Sequence, residues 1–263
     1  MNLLQWIDPA YIFSGFCVGS LVGLTGVGGG SLMTPVLVLV FGLHPVAAVG
    51  TDLLYAAATK MTATVVHGLR GTIDWKIVAR LASGSLPSTA LTVWFLSQFD
   101  IGGSQPRRVI SFLLGMALLA TAITIVLRRW LIARLSVPPT ASHVWRTPTL
   151  TVLTGIALGV LVSLTSVGGG ALGVTALVLL YPTVPLARII GSDIAHAAPL
   201  TLLAGVGHWI AGTVNGVILL SLLMGSPLGV IAGSRAVGWV PERGLRLTLA
   251  TVLTIVGGRL VFR

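Results

Sequence analysis

Two stretches of this chain are copies of one another. Residues Gly19 to Thr34 read GSLVGLTGVGGGSLMT and residues Gly159 to Val174 read GVLVSLTSVGGGALGV, agreeing at 10 of 16 positions with an offset of 140. One inserted residue later the offset is 141. It then carries Gly50 onto Gly191, Asp52 onto Asp193, His67 onto His208, Gly71-Thr72 onto Gly212-Thr213 and Gly84-Ser85 onto Gly225-Ser226. A period this long means that a whole set of secondary elements is duplicated, so the fold must accommodate the same unit twice.

The solvent for that unit follows from its composition. Of the 263 residues 55% are hydrophobic and 8% charged, with mean hydropathy +1.00, against ~25% charged in a soluble domain. This excludes a water-soluble globule and points to an all-α polytopic membrane protein. The net charge of +10 is a matter of topology and lipid headgroups, because no basic patch is interleaved with base-stacking aromatics; nucleic acid is not an expected partner. The single Cys17 forms no intramolecular disulfide, and no Cys/His cluster has metal spacing. No cofactor, metal or catalytic residue is expected.

Apolar segments are expected at about 10–26, 31–42, 45–68, 76–97 and 107–127, and again at about 149–166, 171–181, 185–211, 215–236 and 244–262. The chain thus divides into a first transmembrane repeat (1–127), a basic cytoplasmic linker (128–148) and a second transmembrane repeat (149–263). The first segment lacks a basic leader and is expected to be a retained helix. The second segment of each half, about a dozen residues or ~18 Å of helix, is too short to cross ~30 Å of hydrocarbon. It either pairs with the first as a re-entrant hairpin broken at the glycine run or counts as a crossing, giving three or five crossings per half. Both counts are odd, and an odd count inserts the second copy upside down. With the amino terminus outside, eleven cations fall inside (Arg70, Lys76, Arg80, Arg128, Arg129, Arg134, Arg146, Arg188, Arg235, Arg243, Arg246) and four outside (Arg107, Arg108, Arg259, Arg263). That bias supports two inverted repeats.

The runs Gly26-Val27-Gly28-Gly29-Gly30-Ser31 and Ser166-Val167-Gly168-Gly169-Gly170-Ala171 are the most informative local feature. Each glycine weakens a helix by ~1 kcal/mol, and a break at membrane depth survives only where the freed amides face protein or a watery cavity. A fresh helix beginning at Ser31 or Ala171 presents unpaired N–H groups and a positive dipole end, which suit an anion. The alternative is that the glycines only let helices pack closely. Thr25, Ser31 and Thr165 flank the runs; their hydroxyls either contact the anion or bond the backbone one turn back.

Asp52 and Asp193 are the acidic residues within apolar segments. Each is either a proton-binding or gating group or a structural cap. His67 and His208 follow their aspartates by 15 residues, ~22 Å of helix, so an Asp and a His of one segment cannot share a site. Inversion brings Asp52 to the layer of His208 and Asp193 to that of His67, which permits two cross-repeat gates, or leaves the histidines solvated at helix ends. Lys60 lies two turns past Asp52, with Thr201 as its counterpart, and is either a pathway anion contact or a snorkelling cation. Tyr55 and His196 occupy equivalent positions one turn after the aspartates and can supply hydrogen bonds.

The LTGVGGGS and LTSVGGGA runs, the GTDLLYAA and GSDIAHAA segments, the histidines followed by Gly-Thr, and the Gly-Ser-Leu-Pro and Gly-Ser-Pro-Leu motifs together resemble the sulfite exporter family of TauE/SafE type, over about residues 10–262. This chain departs from its own repeat at Ser166, where the first half has Gly26, and at Pro227-Leu228 against Leu86-Pro87. The resemblance implies a multi-pass permease of the bacterial cytoplasmic membrane that moves sulfite or small organosulfur anions such as sulfonates. Its partners would be the small anionic substrate and lipid. An alternating-access secondary transporter is expected, driven by the proton gradient because the chain has titratable Asp and His and lacks an ATP-binding domain. Other readings are an anion channel, an importer of thiosulfate or another small anion, sodium coupling, and an intramembrane enzyme, which the axial separation of the carboxylates disfavours.

Overall fold

The computed structural model describes residues 8–25, 30–98, 104–135, 141–235 and 242–262. Every regular element among them is helical: α1 (Pro9–Thr25), α2 (Gly30–Leu39), α3 (Pro45–Leu69), α4 (Trp75–Ser97), α5 (Ser104–Leu135), α6 (Ala141–Thr165), α7 (Ala171–Leu180), α8 (Leu186–Ile210), α9 (Gly216–Arg235) and α10 (Glu242–Val261). Three stretches are long and apolar enough to cross a membrane by length and composition, namely Thr147–Thr165, Leu186–Ile210 and Gly216–Gly233. The outer surface is apolar. Phe13, Val65, Leu91, Ile123, Leu220 and Leu228 are all exposed, as expected where hydrocarbon replaces water. Exposed tryptophans stand at both ends of the helices, Trp75 and Trp130 at one and Trp94 and Trp209 at the other, matching the two interfacial belts of a membrane protein.

The stretch 128–148, expected as a linker, is helical over most of its length, because α5 continues to Leu135 and α6 begins at Ala141. Arg, Leu, Ile and Ala propagate a helix as well outside an apolar span as within it, so loss of hydropathy did not mark the helix end. The Pro138-Pro139 pair lies outside the described residues.

Repeated local motifs set the helix ends. After α3 the chain turns at Gly71 with φ 64°, and after α8 at Gly212 with φ 72°. There the Thr72 and Thr213 amides reach back to the His67 and His208 carbonyls at 3.1 Å each, the left-handed glycine stop that satisfies orphan carbonyls. Asp74 then caps α4 by accepting from the Lys76 and Ile77 amides. Asn215, its counterpart, caps α9 through the Val217 and Ile218 amides.

The principal helix pairings all join one half to the other: α1 with α9, α4 with α6, α3 with α8 and α5 with α10. Exchanging the halves turns the first pairing into the second and leaves the other two unchanged. The core follows the same rule, combining Val18, Met33, Leu37 and Tyr55 with Leu219, Leu222, Leu253 and Val256. Small residues permit the closest approach. A β-carbon at Gly225 of α9 would overlap the Ile12 carbonyl oxygen of α1, and one at Gly84 of α4 would overlap that of Val152 in α6. Such backbone contact is how helices gain packing energy without a hydrophobic drive between them. Gly225→Val should therefore prise α1 from α9, at roughly 1–3 kcal/mol or more, and lower the melting temperature in detergent. Gly258→Ala, where a β-carbon meets nothing within 4 Å, should not.

Candidate functional site

The short helix α7 folds back along α6. Just past its end, the Tyr181 hydroxyl bonds Thr151 of α6 at 2.8 Å and accepts from Arg80 of α4 at 3.2 Å. Helices α6 and α7 are thus the arms of a hairpin whose tip is the second glycine run. At that tip Ser166 takes φ 58° and Gly168 φ 124°. The Gly170 and Gly173 amides both turn back to the Gly168 carbonyl, at 2.8 and 3.0 Å, and the Val174 amide reaches that of Gly170 at 2.9 Å. No side chain caps the start of α7, so its positive end is left to whatever lies beyond it. The Thr165 hydroxyl is taken up by backbone, donating to Leu161 O at 2.7 Å and accepting from the Val167 amide at 3.2 Å.

Lys60 lies beyond the tip. It is 3% exposed, and its Nζ lies 3.4 Å from where a β-carbon on Gly169 would stand, as does the Ala197 Cβ of α8. Among the described residues no ion pair or hydrogen bond holds its ammonium.

Helices α3 and α8 run antiparallel, with Gly50 packed against His208 and Thr213, and Gly191 against His67 and Thr72. Each helix start is tied to the turn of the other half, since Thr51 accepts from the Asn215 amide and Ser192 from the Asp74 amide. The aspartates follow one residue later, both fully enclosed. Asp52 Oδ2 accepts from the Thr34 amide at 3.1 Å and the Thr34 hydroxyl at 2.5 Å, while Asp52 Oδ1 and the buried Ser166 hydroxyl have no hydrogen-bond partner. Asp193 packs Oδ1 against Gly173, where a β-carbon would overlap it. Neither Asp193 oxygen has a hydrogen-bond partner, nor does the buried hydroxyl of Thr175, which the 141 offset equates with Thr34.

The residues after the aspartates pair across the halves. The Tyr55 hydroxyl donates to Ser226 at 2.9 Å, and His196 Nε2 bonds Ser85 at 2.7 Å. His196 Nδ1 is buried without a partner. The distal histidines occupy the layers expected of them but touch other groups. His208 bonds Thr213 through Nδ1 at 3.1 Å and the Ser163 carbonyl through Nε2 at 3.0 Å, while His67 Nδ1 bonds Thr72 at 2.8 Å. No ion pair joins Asp52 to His208 or Asp193 to His67 among the described residues. Beside the His208 end, a cavity of about 890 Å³ opens between α3, α4 and α8, lined in part by His44, Val93, Trp94, Gly207 and Thr213.

Of the other residues singled out from sequence, Gly28 and Gly29 lie outside the described residues, as do the side chains of Thr25 and Ser31; Gly30 opens α2. Thr34, Ser85, Ser166, Thr175 and Ser226 were not read as site residues, although the repeat comparison aligned Ser85 with Ser226 and marked Ser166 as a departure from Gly26. The signal was there for two pairs, because the offset that aligns Asp52 with Asp193 also aligns Thr34 with Thr175 and Ser85 with Ser226.

The tip brings one buried ammonium to an uncapped helix start, with the buried Asp193 seated against Gly173 one turn along. Residues 11–260 match the family model described as sulfite exporter TauE/SafE. The chain is 36% identical over 261 residues to the probable membrane transporter protein YjnA of Bacillus subtilis, covering 97% of this chain and 100% of that one. It is 25% identical over 251 residues to the probable membrane transporter protein YdhB of the same organism, at 94% and 97% coverage. A probable membrane transporter protein of Methanocaldococcus jannaschii is 24% identical over 268 residues, at 95% and 93% coverage. No solved structure matches.

Proposed function

We propose that this chain, which belongs to the TauE/SafE sulfite exporter family, is a proton-coupled secondary transporter that exports small organosulfur oxyanions such as sulfite or sulfonates across the cytoplasmic membrane. The observation that carries the reading is the Lys60 ammonium buried beside Gly169, facing the uncapped start of α7. Amide donors and a fixed cation suit a compact oxyanion, and enclosure from bulk water strengthens both. Sulfite, a sulfur oxyanion, is the cargo that the family's description names. The assignment of Gly168, Gly169, Gly170 and Ala171 to substrate, and of Asp52, Asp193 and His196 to coupling, rests on their convergence at one hairpin tip. Tyr55, by contrast, is engaged with Ser226 and serves as a packing partner there.

Alternating access follows from two oppositely inserted repeats. The antiparallel packing of α3 on α8 and the exchange of α1–α9 with α4–α6 support that arrangement, with the hairpin entering the bilayer and leaving on the same side. Cysteines introduced at Thr72 and Thr213 should label from opposite faces of the membrane; labelling from one face would sink the inverted topology. The function itself is tested in proteoliposomes with radiolabelled sulfite, thiosulfate and sulfoacetate under an imposed pH gradient. Saturable, gradient-driven movement with counterflow exchange is expected. Unsaturable flux would mark a channel, and recovery of a modified substrate would mark an enzyme.

A further inference from the structure

Among the described residues the buried charged side chains are Lys60, Asp52 and Asp193. One cation thus shares this enclosed interior with two carboxylates, and neither is ion-paired with it among the described residues. An oxyanion at the hairpin tip takes that ammonium as its counter-ion and adds negative charge where unpaired charge is strongly disfavoured. We infer that the oxyanion becomes the counter-ion of Lys60, and that Asp193 takes up one proton for each anion bound. The inference rests on the anion site described above and specifies its coupling ion and the group that carries it.

Geometry singles out Asp193 over Asp52. Asp52 is supplied with two donors by Thr34. Asp193 has none on either oxygen, and its side chain is seated against Gly173 one turn along from Gly169, where Lys60 stands. The groups around Asp193 are few. Helix α3 contributes Lys60, with Asp52 further along and His67 against Gly191. Helix α8 contributes His196, whose Nε2 is held by Ser85 of α4. Helix α7 contributes the unpartnered hydroxyl of Thr175 and no titratable group. The proton comes from a buffer acid in the water on the side from which the anion enters, whose bond to it breaks to leave the conjugate base in solution. It adds to a carboxylate oxygen to give the neutral acid, and no other bond changes.

The sign follows. Bound protein carries one more proton than free protein, so raising pH weakens binding, by about tenfold per pH unit where one proton is linked. The test uses the intact protein in lipid nanodiscs with methanesulfonate or thiosulfate, which stay ionised at neutral pH, so that any proton taken up belongs to the protein. Calorimetry in buffers of different ionisation enthalpy should report uptake approaching one proton per anion. In Asp193→Asn the uptake should disappear and the pH dependence should flatten while binding persists. Wild-type binding of constant affinity across pH with no proton taken up would overturn the inference and leave the anion site standing. Persistence of uptake in a folded Asp193→Asn protein would overturn it as well. Absence of binding to either anion at every pH would overturn both.

Discussion

Lys60→Gln should reduce oxyanion transport by about thirtyfold or more while the protein still folds. The magnitude follows from removing one member of a desolvated charge contact, roughly 2–5 kcal/mol, at 1.4 kcal/mol per factor of ten. Folding should survive because no described residue depends on the ammonium for a hydrogen bond. Asp52 keeps its Thr34 donors, and Asp193 can protonate in place. Lys60→Arg tests geometry as well as charge. Its planar guanidinium is larger and cannot act as a point charge beside Gly169 and Ala197, so it should recover only part of the lost activity. Equilibrium binding of thiosulfate, measured beside transport, shows where the loss arises. Binding and transport should fall together if Lys60 holds the anion. Transport lost with binding intact would make Lys60 a gate and not a ligand.

The duplication was readable because special residues repeat at fixed spacing. Glycines that stop α3 and α8, aspartates two turns past the start of each of these helices, and histidines whose rings meet the following threonine all have local reasons to be where they are, and local reasons survive in sequence. Segment boundaries followed hydropathy closely except at 128–148, where helix propensity outlasted the apolar span. The position of Lys60 was not readable. It belongs to the first half but faces the glycine run of the second, and this depends on how α3 lies against α8 and the α6–α7 hairpin. The Ser85–His196 and Ser226–Tyr55 bonds are of the same kind, because each spans more than a hundred residues of chain. The glycine runs themselves suggested an anion site, but the sequence could not say which cation would complete it.

That completion predicts a steric contrast between two glycines of one hairpin. At Gly169 a β-carbon would stand 3.4 Å from Lys60 Nζ and from Ala197 Cβ, an ordinary contact, so Gly169→Ala should cost little transport. Gly169→Leu must push the ammonium aside or fill the space the anion needs, and transport should fall by at least about tenfold, as expected when binding groups are displaced by an ångström or so. At Gly173 the tolerance is smaller, since even a single carbon overlaps Asp193 Oδ1. Gly173→Ala should therefore shift the carboxylate, and the loss should exceed that of Gly169→Ala although the added atom is the same. Intact melting temperatures across the series would separate displacement of site groups from unfolding. If Gly169→Leu transported normally, the space beside Lys60 would not be where the anion passes. If Gly173→Ala did so as well, the contact with α7 would not govern the carboxylate, and coupling would have to be sought at Asp52.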